Sequence, residues 1–116
     1  MNIKSDLLDI EDALRLLGDR ATLRELGAVM LETAPRKVAE LRLYVETGEL
    51  EVAARISHGL IGSASNVGAN DLAASALRLE RAALEGSVEE VGNLFIRFER
   101  CWKETAVEME RLVTTA

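Results

Sequence analysis

The chain has 116 residues and a formal net charge of −6, which limits it to one domain and makes nucleic acid and membrane surfaces poor partners. Aromatic residues make up 3% and there is one proline, so the composition predicts an all-α fold. A single cysteine allows no intramolecular disulfide, no apolar run is long enough to span a bilayer, and residues 1–12 lack the apolar core of a signal peptide. We therefore expect a cytoplasmic protein, and the initiating Met1 favours a free-standing one.

The first half of the chain predicts one short helix and one long helix. An amphipathic segment over about 9–17 is followed by Gly18 and by Asp19, which is placed to cap the next helix. Pro35 lacks a backbone donor and disfavours a helical residue before it, so we expect the second helix to break or kink there. Its apolar spacing nevertheless continues to Gly48, which predicts one long, kinked arm. The stripe consists of Leu23, Leu26, Met30, Ala34, Val38, Leu41 and Val45.

Three more helices are predicted in the second half. One runs over about 49–67 and ends with Gly68 in the left-handed conformation, and the next is capped by Asn70 or Asp71 and ends at Gly86. Residues 87–90 form a capping box for the last helix. Its apolar spacing alternates between three and four residues, as in a left-handed bundle. The residues of that stripe are Val88, Val91, Phe95, Phe98, Trp102, Thr105, Met109 and Leu112.

Four long helices joined by short turns pack antiparallel to their neighbours. We therefore predict an antiparallel up-down-up-down four-helix bundle, with the short N-terminal helix covering one end. Residues 1–116 form a single domain in this interpretation, and the protein is expected to be a monomer because its apolar stripes are used internally. Cys101 falls on the packed side of the last helix, where a structural role is expected.

The only histidine, His58, is the leading candidate for chemistry. The apolar stripe of its helix is centred on Ile56, and His58 lies roughly 200° away from it, towards solvent or a partner. Gly62 follows one turn later, where glycine costs about 1 kcal/mol relative to alanine. We infer that Gly62 removes a side chain that would crowd the imidazole. An accessible imidazole, neutral near pH 7, offers a lone pair to phosphorus. The other residues expected on this face are Ala54, Ser65, Ile61 and Glu51, while Arg55 is expected on its flank.

Glu80, on the following helix, is the candidate partner of His58. If the helical hairpin folds about residues 68–69, residue 58 comes to lie opposite residue 79. A Glu80 carboxylate that accepts the Nδ1 proton leaves Nε2 as the nucleophile. The alternative is a carboxylate at the rim of the bundle, paired with Arg78 or Arg81.

Residues 58–69 read HGLIGSASNVGA, which resembles the H-x-L-K-G-S-A-x-x-x-G-A signature of histidine-containing phosphotransfer domains. The sequences at 77–80, 16–19 and 32–35, LRLE, LLGD and ETAP, are also similar to that family. The resemblance covers nearly the whole chain. It implies a phosphorelay protein that accepts a phosphoryl group on His58 from a receiver-domain aspartate and passes it to another receiver.

The resemblance also implies the partners and the division of labour. The partners are response-regulator receiver domains or a hybrid sensor kinase. The receiver supplies Mg²⁺ and most catalytic groups, so this chain needs no cofactor of its own. In the family an acid or amide at the position of Glu80 bonds to the histidine, and a glycine at the position of Gly62 is usual. Ala54, Arg55, Ile61 and Ser65 are the expected partner-binding residues.

Ile61 departs from the family pattern, which commonly has a lysine at this position. The missing charge bears on phosphohistidine stability or transfer rate, and Arg55 on the flank of the helix is a partial substitute. Ile61 also keeps open a second function, a bundle that binds a receiver without accepting phosphate. A remote third interpretation makes residues 66–79 a DNA-binding helix-turn-helix, against which the acidic charge argues.

Several other classes of chemistry lack the residues that they need. One histidine and one cysteine cannot build a zinc site of the usual composition, so no metal site is expected. The chain has no Walker loop and no kinase-type glycine motif, which predicts a phosphocarrier rather than an ATP-dependent enzyme.

Overall fold

A computed structural model describes residues 7–115, and within that range the protein is all-α, with five helices and no strand. The expectations that concern residues 1–6, the absence of a signal peptide and the start of the domain, lie outside the described residues. The helices are α1 (Ile10–Leu17), α2 (Arg20–Thr47), α3 (Leu50–Asn66), α4 (Asn70–Glu85) and α5 (Val88–Thr114).

Side-chain caps and left-handed glycines set most of the helix ends. Asp9, Asp19 and Ser87 precede α1, α2 and α5, and each accepts a hydrogen bond from the backbone N–H three residues later. Gly48 and Gly86 end α2 and α4 with positive φ angles, as expected from their positions in the sequence. The predicted cap of α4 is wrong. Asn70 is already the first helical residue, and Ala69 occupies the cap position without a side-chain hydrogen bond.

Each long helix packs against two others. α3 lies against α4, α4 against α5, α5 against α2, and α2 against α3, while α1 contacts α2 and α3. Cross-helix contacts show that α2 and α5 run in opposite directions. A Cβ built on Gly27 would lie 3.2 Å from Val113, whereas Arg42, further along α2, pairs with Glu99, which lies earlier in α5.

The core is aliphatic, with aromatic residues contributed by α5. The largest fully buried side chains are Phe98, Leu23, Leu41, Leu60, Leu72, Leu79, Met109, Val67, Val91, Thr105 and Ser57. The predicted stripes of α2 and α5 point into this core, with the exceptions of Leu26 and Leu112, which are half-buried, and Val88, which is exposed. Val88 is the first residue of α5, where no further helical turn exists to cover it.

The long arm predicted across Pro35 is present, because α2 is one continuous helix from Arg20 to Thr47 that does not break at the proline. Pro35 cannot donate a hydrogen bond to the carbonyl one turn earlier. It lies on the exposed side of α2, where water can hydrate that carbonyl, while its neighbours Ala34 and Val38 are buried. Packing on the inner side thus holds the helix together across the proline.

The buried face of α3 differs from the predicted one. The predicted centre, Ile56, is only half-buried, and so is Val52. The buried face is centred roughly 85° from Ile56, and most of its residues are smaller than those at the predicted positions. The buried residues of α3 are Ala53, Ala54, Ser57, Leu60 and Ala64. Small side chains allow two helices to approach closely, so α3 turns its alanines, Ser57 and Leu60, rather than Val52 and Ile56, towards its neighbours.

Candidate functional site

His58 lies on the outer surface of α3, with its side chain 75% exposed. Ser57 and Leu60, on either side of it in sequence, are fully buried and fix the rotation of the helix. The Ser57 hydroxyl donates a hydrogen bond to the Ala53 carbonyl, which satisfies the hydroxyl inside the core. The imidazole is therefore presented to solvent from a rigid, well-packed helix.

Glu80, on α4, contacts the imidazole directly. Its Oε2 lies 2.7 Å from His58 Nδ1, and its own side chain is only 17% exposed. A carboxylate can only accept a hydrogen bond, so the proton of the neutral imidazole belongs on Nδ1 and the lone pair on Nε2. The contact forms because α3 and α4 make an antiparallel hairpin through the turn at residues 67–69. The geometry leaves Nε2, rather than Nδ1, with the free lone pair.

An open groove runs along the α3–α4 surface beside the imidazole. The residues that line it are Glu51, Ala54, Arg55, His58, Glu80 and Leu84. Leu84 lies one turn after Glu80 and is among the exposed large hydrophobic residues of the protein. Leu84 was not among the site residues predicted from the sequence. Its position four residues after Glu80 is the signal that places it beside the site.

The expected partner-binding residues differ in how far they reach the surface. Arg55 and Ser65 are exposed, as that role requires. Ala54 was expected to be an exposed small neighbour of His58, but it is 4% exposed and forms part of the base of the groove. The cause is the rotation of the buried face of α3, which brings Ala54 inside. Ile61 is half-buried and packs against the core, so only part of its side chain is available to a partner.

Gly62 lies on the exposed side of α3, one turn after His58. A Cβ built at this position would meet no other atom within 4 Å, and the same holds for Gly59. A methyl group at position 62 therefore would not crowd the imidazole, contrary to the reason inferred from the sequence. The space that Gly62 leaves open is larger than one methyl group and is available to a bound molecule or a longer side chain.

A second groove lies on the other side of Arg55, between α2 and α3. Its lining residues are Lys37, Glu40, Tyr44, Val52, Arg55, Ile56 and Gly59. Sequence reasoning did not identify the α2 residues of this groove, since nothing in their local pattern separates them from an ordinary helix surface. Arg55 is thus common to both grooves that border the helix surface around His58.

Two further features of residues 7–115 bear on the class of site. No helix in this range combines the length and the hydropathy needed to cross a membrane. No group of three or more histidine, cysteine or acidic residues is gathered in a way that would hold a metal ion.

Comparison with known proteins gives one match. A family model described as "Hpt domain" matches residues 4–114 of this chain. Neither the search of curated proteins nor the search of solved structures returned a match. The match spans all five helices and includes both His58 and Glu80.

Proposed function

The chain belongs to the Hpt domain family, whose members take part in two-component phosphorelays, and from that premise we propose that His58 is its phosphoryl-accepting residue. The observation that supports this assignment is the 2.7 Å contact between Glu80 and Nδ1 of an exposed imidazole. This arrangement leaves Nε2 unhindered and with its lone pair directed away from the protein.

In the proposed reaction, Nε2 attacks the phosphorus of a phosphoaspartate on a receiver domain. The P–N bond forms as the P–O bond breaks, and the aspartate leaves as a carboxylate. The imidazole keeps its Nδ1 proton and becomes positively charged, and the Glu80 carboxylate stabilises that charge. Transfer to a second receiver reverses these steps. The receiver contributes Mg²⁺, so the protein itself is a phosphocarrier without a cofactor or an ATP site.

We also propose how the five helices are arranged. The contacts among α2, α3, α4 and α5 support an antiparallel up-down-up-down four-helix bundle, and the contacts of α1 with α2 and α3 support a short helix that covers one end. Residues 1–116 then form one histidine phosphotransfer domain. The protein acts as a cytoplasmic monomer whose partners are receiver domains or a hybrid sensor kinase. Partner contacts involve Arg55, Ile61 and Ser65 together with the groove that Ala54 lines.

A second candidate function is receiver binding without phosphorylation. The observation that favours it is Ile61, an apolar residue packed against the core three residues after His58, where it contributes no positive charge to the surface. A protein of this kind would occupy a receiver and prevent transfer rather than relay a phosphoryl group.

The two functions are separated by phosphorylating the full chain with potassium phosphoramidate and, in parallel, with phosphorylated receiver domains. The expected product is an acid-labile, alkali-stable phosphate with a phosphohistidine signal in ³¹P NMR, absent from His58→Gln. His58 is exposed, so this variant should keep the fold. A phosphohistidine signal that persists in His58→Gln would disprove the assignment of the site. A wild-type protein that binds receiver domains but gives no phosphohistidine signal would establish the second function instead.

A further inference from the structure

The groove beside His58 carries more negative than positive charge. Two carboxylates, Glu51 and Glu80, line it together with a single cation, Arg55. A phosphoryl group adds a charge of about −1.5 to −2 at neutral pH. Phosphorylation of His58 therefore places like charges close together, and this repulsion disfavours the phosphorylated form unless a cation approaches the phosphoryl oxygens.

Arg55 is placed to be that cation. It lies three residues before His58 on α3, a spacing that makes the two side chains neighbours on the helix surface. Arg42 and Arg111 pair with carboxylates, whereas Arg55 has no ion pair or hydrogen bond with any residue in the described range 7–115. Its guanidinium is exposed and can turn towards a group bound at Nε2 without giving up another contact.

The residues on the other side of His58 supply no alternative charge. Ile61 is apolar and packs against the core, and Gly62 has no side chain. We propose that Arg55 neutralises the phosphoryl group on His58 and thereby sets how readily the group is accepted and how long it is retained. This inference rests on the proposed phosphorylation of His58.

The test uses potassium phosphoramidate as a small donor, so no receiver needs to be known. In this reaction the P–N bond of the donor breaks, ammonia leaves, and a new P–N bond forms to Nε2. Arg55 neither gains nor loses a proton. The rate of formation is measured by ³¹P NMR, and the rate of decay is measured after the donor is removed. The ratio of the two rates reports the balance between acceptance and loss.

Arg55→Gln is expected to lower this ratio roughly five- to tenfold, the size of effect for one exposed charge beside a dianion. Arg55→Lys keeps the charge and should stay close to wild type. Glu51→Gln removes a negative charge from the groove and should raise the ratio. The matched control is Arg97→Gln, because Arg97 is an exposed arginine of α5 that does not line the groove.

Ionic strength separates an electrostatic role from a structural one. The difference between wild type and Arg55→Gln should shrink at 1 M salt, where the Debye length is about 3 Å. Equal ratios for the two proteins at low salt would overturn the role of Arg55 and leave the assignment of His58 intact. A difference that is unchanged by salt would also overturn it. Absence of phosphohistidine in the wild type would instead overturn the proposed function itself.

Discussion

Glu80 and His58 form a contact across two helices, in which Oε2 of a largely buried carboxylate lies 2.7 Å from Nδ1 of a largely exposed imidazole. Because Glu80 is largely buried and His58 largely exposed, the two side chains differ in how freely they can move. Burial restricts the Glu80 side chain, which suits it to hold the ring in one orientation, whereas the imidazole itself remains open to solvent. The pair thus combines a defined orientation with access from solvent.

Replacing Glu80 tests the orienting role. Glu80→Ala should lower the rate of His58 phosphorylation by phosphoramidate about 10- to 100-fold, since a hydrogen bond to a charged group contributes about 1.5–3 kcal/mol. Glu80→Gln keeps an oxygen that can accept a hydrogen bond from Nδ1–H, so its rate should fall less. The rates follow from ³¹P NMR time courses.

Glu85→Ala provides the control for that experiment. Glu85 is an exposed carboxylate of the same helix and does not line the groove at His58. Its replacement should leave the rate within about twofold of wild type. If Glu80→Ala were as fast as Glu85→Ala, the orienting role of Glu80 would be excluded.

The two open glycines of α3 provide a second test. A Cβ at Gly59 or at Gly62 meets no atom within 4 Å, so each glycine-to-alanine change should raise the free energy of unfolding by about 0.5–1 kcal/mol, as measured in urea. Neither alanine should slow phosphorylation by phosphoramidate. A larger side chain should separate the two positions, because Gly62 is an i+4 neighbour of His58 and Gly59 is not.

Gly62→Leu is therefore expected to slow phosphorylation, while Gly59→Leu serves as its matched control. Both leucines add the same bulk to the exposed side of α3. Equal rates for the two variants would show that the space beside His58 has no role in access to Nε2.

The positions of the helices and the hairpin that carries the site could be predicted from the sequence. Polar caps and glycines marked most helix ends, and the α3–α4 turn alone placed residue 58 opposite residue 79. The face that α3 buries could not be predicted in this way. Hydrophobicity favours Val52 and Ile56, but four of the five buried residues of α3 are alanine or serine, and close approach depends on side-chain size as well as on hydrophobicity. The exposure of Ala54 was misjudged for this reason.

The continuity of α2 through Pro35 was predicted from its apolar spacing and not from the local rules for proline. Local rules for proline describe the loss of one hydrogen bond and the constraint on the preceding residue. They do not include the burial of Ala34 and Val38, which depends on helices distant in sequence. The outcome was decided by tertiary packing.

The turn at Gly68 is a position where the fold should tolerate no side chain. Gly68 has a φ of +73°, and a Cβ there would lie 2.4 Å from the backbone oxygen of Asp9. The Asp9 N–H also donates a 2.8 Å hydrogen bond to the Gly68 carbonyl. Gly68→Ala should therefore lower the free energy of unfolding by about 2–4 kcal/mol, from backbone strain plus displacement of the segment before α1.

Gly86→Ala is the matched control for Gly68→Ala. Gly86 has a similar φ of +82°, but a Cβ there meets nothing within 4 Å. Only the strain of the left-handed conformation applies, so the free energy of unfolding measured in urea should fall by about 1 kcal/mol. If the two variants lowered the free energy of unfolding equally, the contact with Asp9 would not be what excludes a side chain at Gly68.

Cys101 gives a prediction about pH. Burial raises the pKa of the Cys101 thiol, and a weaker contact with the Thr105 hydroxyl opposes that shift. The folded protein therefore holds the thiol proton more tightly than the unfolded chain. The resulting stabilisation is fully present below the ordinary thiol pKa of 9.0 and is lost as the pH rises through the higher pKa of the folded state.

The free energy of unfolding should accordingly fall more steeply above pH 9 in the wild type than in Cys101→Ala, which has no thiol to titrate. Urea titrations of both proteins between pH 7 and pH 10 measure the difference, and the other ionisable groups cancel between them. Since the thiolate is the reactive form, iodoacetamide should also alkylate the folded protein more slowly than the urea-unfolded chain at the same pH. Identical pH slopes, or an equally fast reaction in the folded state, would show that burial does not hold the proton on Cys101.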